Sequence, residues 1–246
     1  MTDTAIPPRS RAFMIVMALA TLLAFVTLLA LGTWQVQRLA WKEDLLATID
    51  ARIHAAPITL DELNRRDDIE YVPVRVSGHF DHAAERHFFT THEGMSGYNV
   101  YTPLIMGNGE AVFVNRGFVP FDRKDAAGRA QGQVAGEVQV TGLARKGLAE
   151  KPSFAVPDND PAKNIFYWKD IRQMRETSGL PADVPVLGYF IDADATPNPG
   201  GLPVGGTTIV NLPNNHLQYA VTWYGLAAAL AVVVAAWLVR RLRHRA

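Results

Sequence analysis

Two uncharged apolar stretches, Ala12 to Leu31 and Tyr219 to Val239, stand at opposite ends of this chain of 246 residues. A helix rises about 1.5 Å per residue, so either stretch spans roughly the 30 Å of hydrocarbon in a bilayer. A chain with a crossing at each end must fold everything between them as one water-facing domain tethered twice. The predicted organisation is a tail over 1–11, a first span over 12–31, an outward α+β domain over 32–218, a second span over 219–239 and a basic tail over 240–246.

Sidedness follows from the flanking cations. Arg9 and Arg11 precede the first span, and Arg240, Arg241, Arg243 and Arg245 follow the second. Short segments rich in Lys and Arg stay cytoplasmic, which places both termini inside and the middle outside. The middle keeps 18 of the 24 basic and 23 of the 24 acidic residues, a net charge of about −5 hidden within a neutral whole. A cleaved signal peptide is the alternative for the first span, since Ala30-Leu31-Gly32 offers a small-x-small site. The apolar run of 20 residues exceeds the usual signal core, and a retained anchor is expected. The short, Arg-poor and Ser-poor start does not resemble a mitochondrial transit peptide, and a bacterial inner membrane with a periplasmic domain is the expected compartment.

The chain holds no cysteine, so disulfides and Cys-based metal or redox sites are excluded. No G-x-S-x-G, P-loop or dinucleotide-type glycine motif opens a helix, and catalysis has no positive support; the expectation is that the protein is not an enzyme. A membrane sensor would share the architecture, but the tails of about 11 and 7 residues are too short for an output domain. Histidines cluster at His79, His82, His87 and His92. Strand alternation puts His87 and His92 on opposite faces, which argues for solvated side chains over a metal site.

Past the first span, Trp34 to Arg52 reads as a continuing helix that Pro57 closes. The period then changes to two: Val72, Val74, Val76, Gly78 and Phe80 face one way and Pro73, Arg75, Ser77 and His79 the other. Further strands are predicted over Arg86–Thr91, Gly97–Ile105, Ala111–Val119, Glu137–Leu143 and Val186–Ile191, with a helix over Asp170–Ser178. Strands joined by short turns favour an antiparallel sheet or partly closed barrel with one or two helices. Phe121–Gly136 reads as a solvated hairpin connection, and Ala193–Gly206, rich in Pro and Gly, as a linker back to the membrane.

Four motifs give the chain a family likeness. Asn214-Asn215-His216-Leu217-Gln218-Tyr219-Ala220-Val221-Thr222-Trp223-Tyr224-Gly225-Leu226-Ala227 opens the second span. Leu31-Gly32-Thr33-Trp34-Gln35 follows the first, with Arg38, Trp41 and Lys42 beyond it. Between them come Gly97-Tyr98-Asn99-Val100-Tyr101-Thr102-Pro103-Leu104 and Val112-Phe113-Val114-Asn115-Arg116-Gly117-Phe118-Val119-Pro120. In this order they resemble the Surfeit-locus family of cytochrome c oxidase assembly proteins. The resemblance implies a membrane assembly factor for haem-copper oxidase that binds haem a as cargo and acts on subunit I. Haem a synthase and the bilayer are further expected partners, and nucleic acid is not. It also implies His216 as axial ligand of the haem iron. The alternatives are a chaperone that holds subunit I without haem transfer, or a membrane-tethered periplasmic binding module.

The chemistry of such a site can be asked independently. Counting back from Val239, His216 falls about 35 Å away, at the outer edge of hydrocarbon, where a macrocycle finds apolar surroundings and propionates find water. Neutral imidazole can ligate iron, and His216, Tyr219, Trp223 and Ala227 recur at spacings of three or four. Gly225 and Ala229 would let the first span approach, with Gly32 and Trp34 at the same level. Propionates favour Arg, so Arg38 and Arg116 are candidate partners. The competing expectations are a His216 bonded to Asn214 or Asn215, an ordinary aromatic belt for Trp34, Tyr219 and Trp223, and an Arg116 paired with Glu93 or Asp122.

Overall fold

A single helix, α1 (Arg11–Ile53), joins the first apolar stretch to the helix predicted beyond it without a break, and it ends shortly before Pro57. The computed structural model describes residues 11–208 and 214–243. Arg9 and Arg245, which carry part of the sidedness argument, lie outside the described residues. The chain divides into two compact units, one taking the chain up to Thr48 together with Asn211 onward, the other Ile49–Val210.

The helical unit consists of most of α1 and the last helix, α4 (His216–Arg243). Both are long and apolar enough to cross a membrane, and their apolar side chains are largely exposed, as expected of surfaces that meet lipid. The two helices meet over small side chains. Ala220 and Ala227 are buried, and a Cβ on Gly32 would touch the Tyr224 ring at 2.9 Å. Thr33 Oγ1 and Tyr224 Oη share a hydrogen bond of 3.0 Å, and at the opposite end Arg241 Nη2 lies 3.2 Å from Met14 Sδ. The expectation that Gly225 and Ala229 form this contact is corrected. A Cβ on Gly225 would meet nothing within 4 Å, and Ala229 is exposed. The face that meets α1 lies one position away in the helical rotation, along His216, Ala220, Tyr224 and Ala227.

The second unit begins with a capped turn of helix, α2 (Leu60–Leu63), in which Thr59 and Glu62 form a reciprocal capping box. Six strands follow: β1 (Pro73–Phe80), β2 (Arg86–His92), β3 (Met95–Ile105), β4 (Ala111–Pro120), β5 (Glu137–Lys146) and β6 (Val186–Ala193). They lie in the order β1-β5-β6-β4-β3-β2, and an added β1–β3 pairing closes five of them into a barrel with β2 outside. Closure brings the end of β1 against that of β3, pairing His79 with Ile105 and Phe80 with Leu104. Gly78 is needed there because a Cβ would run into the Ile105 carbonyl.

Every junction is antiparallel except β4–β6, which is parallel. The expected antiparallel sheet or partly closed barrel is present, and its one parallel junction has a topological reason. A ring with an odd number of strands cannot alternate direction all the way round, so five strands in a closed ring force at least one parallel junction.

Alternation along β4 and β6 divides the interior in two. Val112, Val114, Tyr189 and Ile191 point into the barrel with Val74, Val76 and Leu104, and Leu63 joins this core from α2. Phe113 and Phe190 point outward into a second core with Tyr101, Phe166 and Met174. Met174 belongs to α3 (Ile171–Thr177), which Asp170 caps by accepting from Gln173 N. This explains why β4 reads as a nearly continuous apolar run: both of its faces are covered.

The two segments read as loose connections are packed. Over Phe121–Gly136 the chain winds through short 3-10 turns that bury Arg129 and Gly132. Over Ala193–Gly206 it returns along β4, where Val204 and Phe118 exchange backbone hydrogen bonds of 2.8 Å each. Gly117, at φ +115°, permits that approach, because any Cβ would collide with the Val204 carbonyl. Polar composition predicted exposure, but Arg116 of β4 donates to Gly132 of one segment and Asn198 of the other, and Arg129 is buried against Glu85.

Candidate functional site

His216 is the first residue of α4, and its Nδ1 lies 2.7 Å from Gln35 Oε1 of α1. A carboxamide oxygen only accepts, so Nδ1 must carry the proton and Nε2 is left with a free lone pair in the neutral ring. Nε2 makes no hydrogen bond among the described residues. Gln35 is 9% exposed, which fixes its amide within the helix contact. The arrangement matches the support given to metal-binding histidines, where one ring nitrogen is held by an oxygen and the other faces the metal. His216 therefore bonds to Gln35 and not to Asn214 or Asn215.

Around this imidazole the helices expose aromatic surface. Trp34 and Tyr219 are each more than half exposed, and Trp223 is half-buried at the border of the helix contact. Tyr219 points off the face that meets α1. Arg38 is exposed one turn beyond Trp34, with its guanidinium 3.8 Å from the centre of the Trp41 ring. The predicted group of His216, Trp34, Arg38, Tyr219 and Trp223 thus belongs to one helical unit. Sequence reasoning quoted Gln35 within a motif but gave it no role. A buried amide on an otherwise apolar helix face was the available signal.

Arg116 has a different role from either predicted one. It belongs to the barrel unit and is 2% exposed. Its Nη2 donates to Gly132 O at 2.6 Å and Asn198 Oδ1 at 2.9 Å, and its guanidinium lies 4.7 Å from the Phe80 ring centre. Neither Glu93 nor Asp122 pairs with it; Asp122 is exposed beside Arg123. Burial pushes the Arg116 guanidinium down to about 10. It ties two loops to β4 by bonding neutral acceptors, Gly132 O and Asn198 Oδ1.

Close to it sits a buried ionic group that sequence reasoning missed. Glu85 accepts from Arg129 and lies 3.3 Å from His87 Nε2, with all three side chains at least nine-tenths buried. Burial opposes the charge on Glu85, but hydrogen bonds from His87 and Arg129 outweigh it and hold the carboxyl below its ordinary value. His82 Nε2 bonds the Val134 carbonyl at 2.9 Å, and burial lowers its affinity for a proton. The expected solvated histidines are therefore corrected at these two positions. His87 is drawn in by the Glu85 carboxylate that also pairs with Arg129, and His82 by the Val134 carbonyl, 52 residues away in sequence.

Known proteins place this architecture. The sequence matches the SURF1 family over residues 22–228. The chain belongs to the SURF1 family. It is 40% identical to Surfeit locus protein 1 of Xenopus tropicalis over 227 residues, covering 85% of this chain and 71% of that one. Identity to the human Surfeit locus protein 1 is 38% over 241 residues, 90% of this chain and 76% of that one. A SURF1-like protein of Monosiga brevicollis is 38% identical over 232 residues, 88% of this chain and 84% of that one. The family match runs from inside the first apolar helix into α4 and so includes both Gln35 and His216.

Proposed function

We propose that this SURF1-family protein is a membrane assembly factor for haem-copper cytochrome c oxidase that binds haem a as cargo and presents it to subunit I. The observation that carries the reading is the His216–Gln35 pair, an imidazole held at one nitrogen with the other free to ligate. Bound haem would supply an iron centre that accepts an imidazole nitrogen. This chain's residues do the rest. His216 offers Nε2, Trp34, Tyr219 and Trp223 offer apolar ring surface, and Arg38 offers the guanidinium for a propionate. Their role is to bind and hold, with no catalytic step.

The two apolar helices are consistent with a membrane protein. In the proposed topology both termini are cytoplasmic, the barrel is periplasmic, and His216 lies where lipid meets water. A cargo with a hydrophobic tail and charged propionates suits that boundary. Haem a synthase and oxidase subunit I are the proposed partners on either side of the transfer.

The test is the absorption spectrum of protein purified from a host that makes haem a. Wild type should carry a haem a spectrum that His216→Ala loses while remaining folded. An unchanged spectrum removes His216 from the proposal. In a deletion strain, oxidase polypeptides should persist with haem-dependent activity reduced; full activity with correctly inserted haem refutes the assembly role.

A further inference from the structure

We infer that Gln35 is a positioning residue that sets the tautomer of His216 and thereby makes Nε2 the ligating nitrogen. The purpose of this device rests on the haem reading above, but the tautomer itself is a property of the protein without cargo. An imidazole free in water exchanges its proton between both nitrogens and can present either one. Here the Gln35 oxygen sits 2.7 Å from Nδ1, and a proton on Nδ1 is the only one that completes that bond. Gln35 is nine-tenths buried, so leaving its oxygen without a donor would cost the desolvation of an unpaired polar atom. The bond therefore favours one tautomer.

The register that brings the pair together has its own support. Gly32, three residues before Gln35, gives room to the Tyr224 ring, and Thr33 shares a hydrogen bond with Tyr224 Oη. These contacts fix α4 against α1 between the buried small residues Ala220 and Ala227, independently of the imidazole. Gln35 thus acts through His216 and touches no cargo itself. A carboxylate at the same position would accept the Nδ1 proton more strongly, increase the electron density on Nε2 and stabilise the ferric state.

The experiment uses the full chain in detergent, with 15N-labelled histidine and no haem, followed by loading with haem a. His216 signals are assigned by their loss in His216→Ala. In wild type they should report a protonated Nδ1 and a bare Nε2. Gln35→Leu and the milder Gln35→Asn, which withdraws the oxygen by one methylene, should abolish that preference and weaken haem binding about tenfold to a hundredfold. Gln35→Glu should restore binding and move the midpoint potential to a more negative value. Tyr224→Phe, which removes only the neighbouring interhelical hydrogen bond, should leave the tautomer unchanged. Wild-type nitrogen signals in both Gln35→Leu and Gln35→Asn would overturn the inference. Wild-type haem binding in His216→Ala would instead overturn the ligand reading, and the nitrogen signals would still decide the tautomer.

Discussion

Replacing Arg129 with Met tests whether the buried ionic group holds the barrel unit together. Arg129 is 5% exposed and donates from Nη2 both to Glu85 and to the Lys124 carbonyl, while its Nε donates to the Arg123 carbonyl. It therefore staples the chain over Phe121–Gly132 onto the start of β2. Met matches its bulk without the charge and leaves Glu85 buried with His87 as the remaining donor to its side chain. Removing one partner of a buried pair costs about 3–5 kcal/mol, because the surviving charge has no replacement for water. For a domain of this size that corresponds to a fall in Tm on the order of 10 °C. The assay is denaturant unfolding of the full chain in detergent, followed by tryptophan fluorescence and compared with Glu85→Gln and the double variant. The double variant should lose less than the sum of the two singles, because it leaves no uncompensated charge. An Arg129→Met protein within about 0.5 kcal/mol of wild type, a change typical of an ordinary surface site, would refute this account.

Stability should also depend on pH through His82, whose proton affinity in the folded protein lies below its ordinary value of 6.5 because of burial. Above pH 6.5 both states keep the ring neutral. Below it the unfolded chain takes the proton first, so stability falls with pH until the folded-state value is passed, and His82→Gln should flatten that part of the curve. Gly117→Ala should cost at least about 2 kcal/mol, because the positive φ strains an L residue and the new Cβ meets the Val204 carbonyl; a shift in the denaturant midpoint checks it. Met174→Ala empties a fully buried position in the outer core and should cost about 2–5 kcal/mol in the same assay. Gly32→Leu should push the Tyr224 ring away and part Gln35 from His216, read as loss of the Nδ1-protonated signal.

The fold was legible wherever periodicity is local. All six predicted strands are present, and the signal is plainest where a half-buried strand writes its two faces into consecutive residues, as Val74, Arg75 and Val76 do in β1. Closure was harder to read. It depends on Gly78 and two pairs of residues at strand ends, and no local pattern distinguishes a ring from an open sheet. Long-range polar partners were invisible for the same reason: Arg116 and Asn198 are 82 residues apart, and Arg129 and Glu85 are 44 apart. Charged residues in Gly-rich loops look solvated until the fold supplies their partners. At the helical site, motif likeness drew attention to His216, whereas the oxygen that orients it came from a helix 181 residues earlier in the chain.

The closed ring also bears on how this protein survives being crowded. Because β1 and β3 seal the barrel against each other, five of its strands offer no bare row of amides that a neighbouring molecule could extend. The remaining strand, β2, is flanked on its outer side by Phe166, which exchanges backbone bonds with His87 and Phe89. Strand-to-strand polymerisation is thereby discouraged, so copies of this domain at high local concentration can collide often without templating one another into fibres.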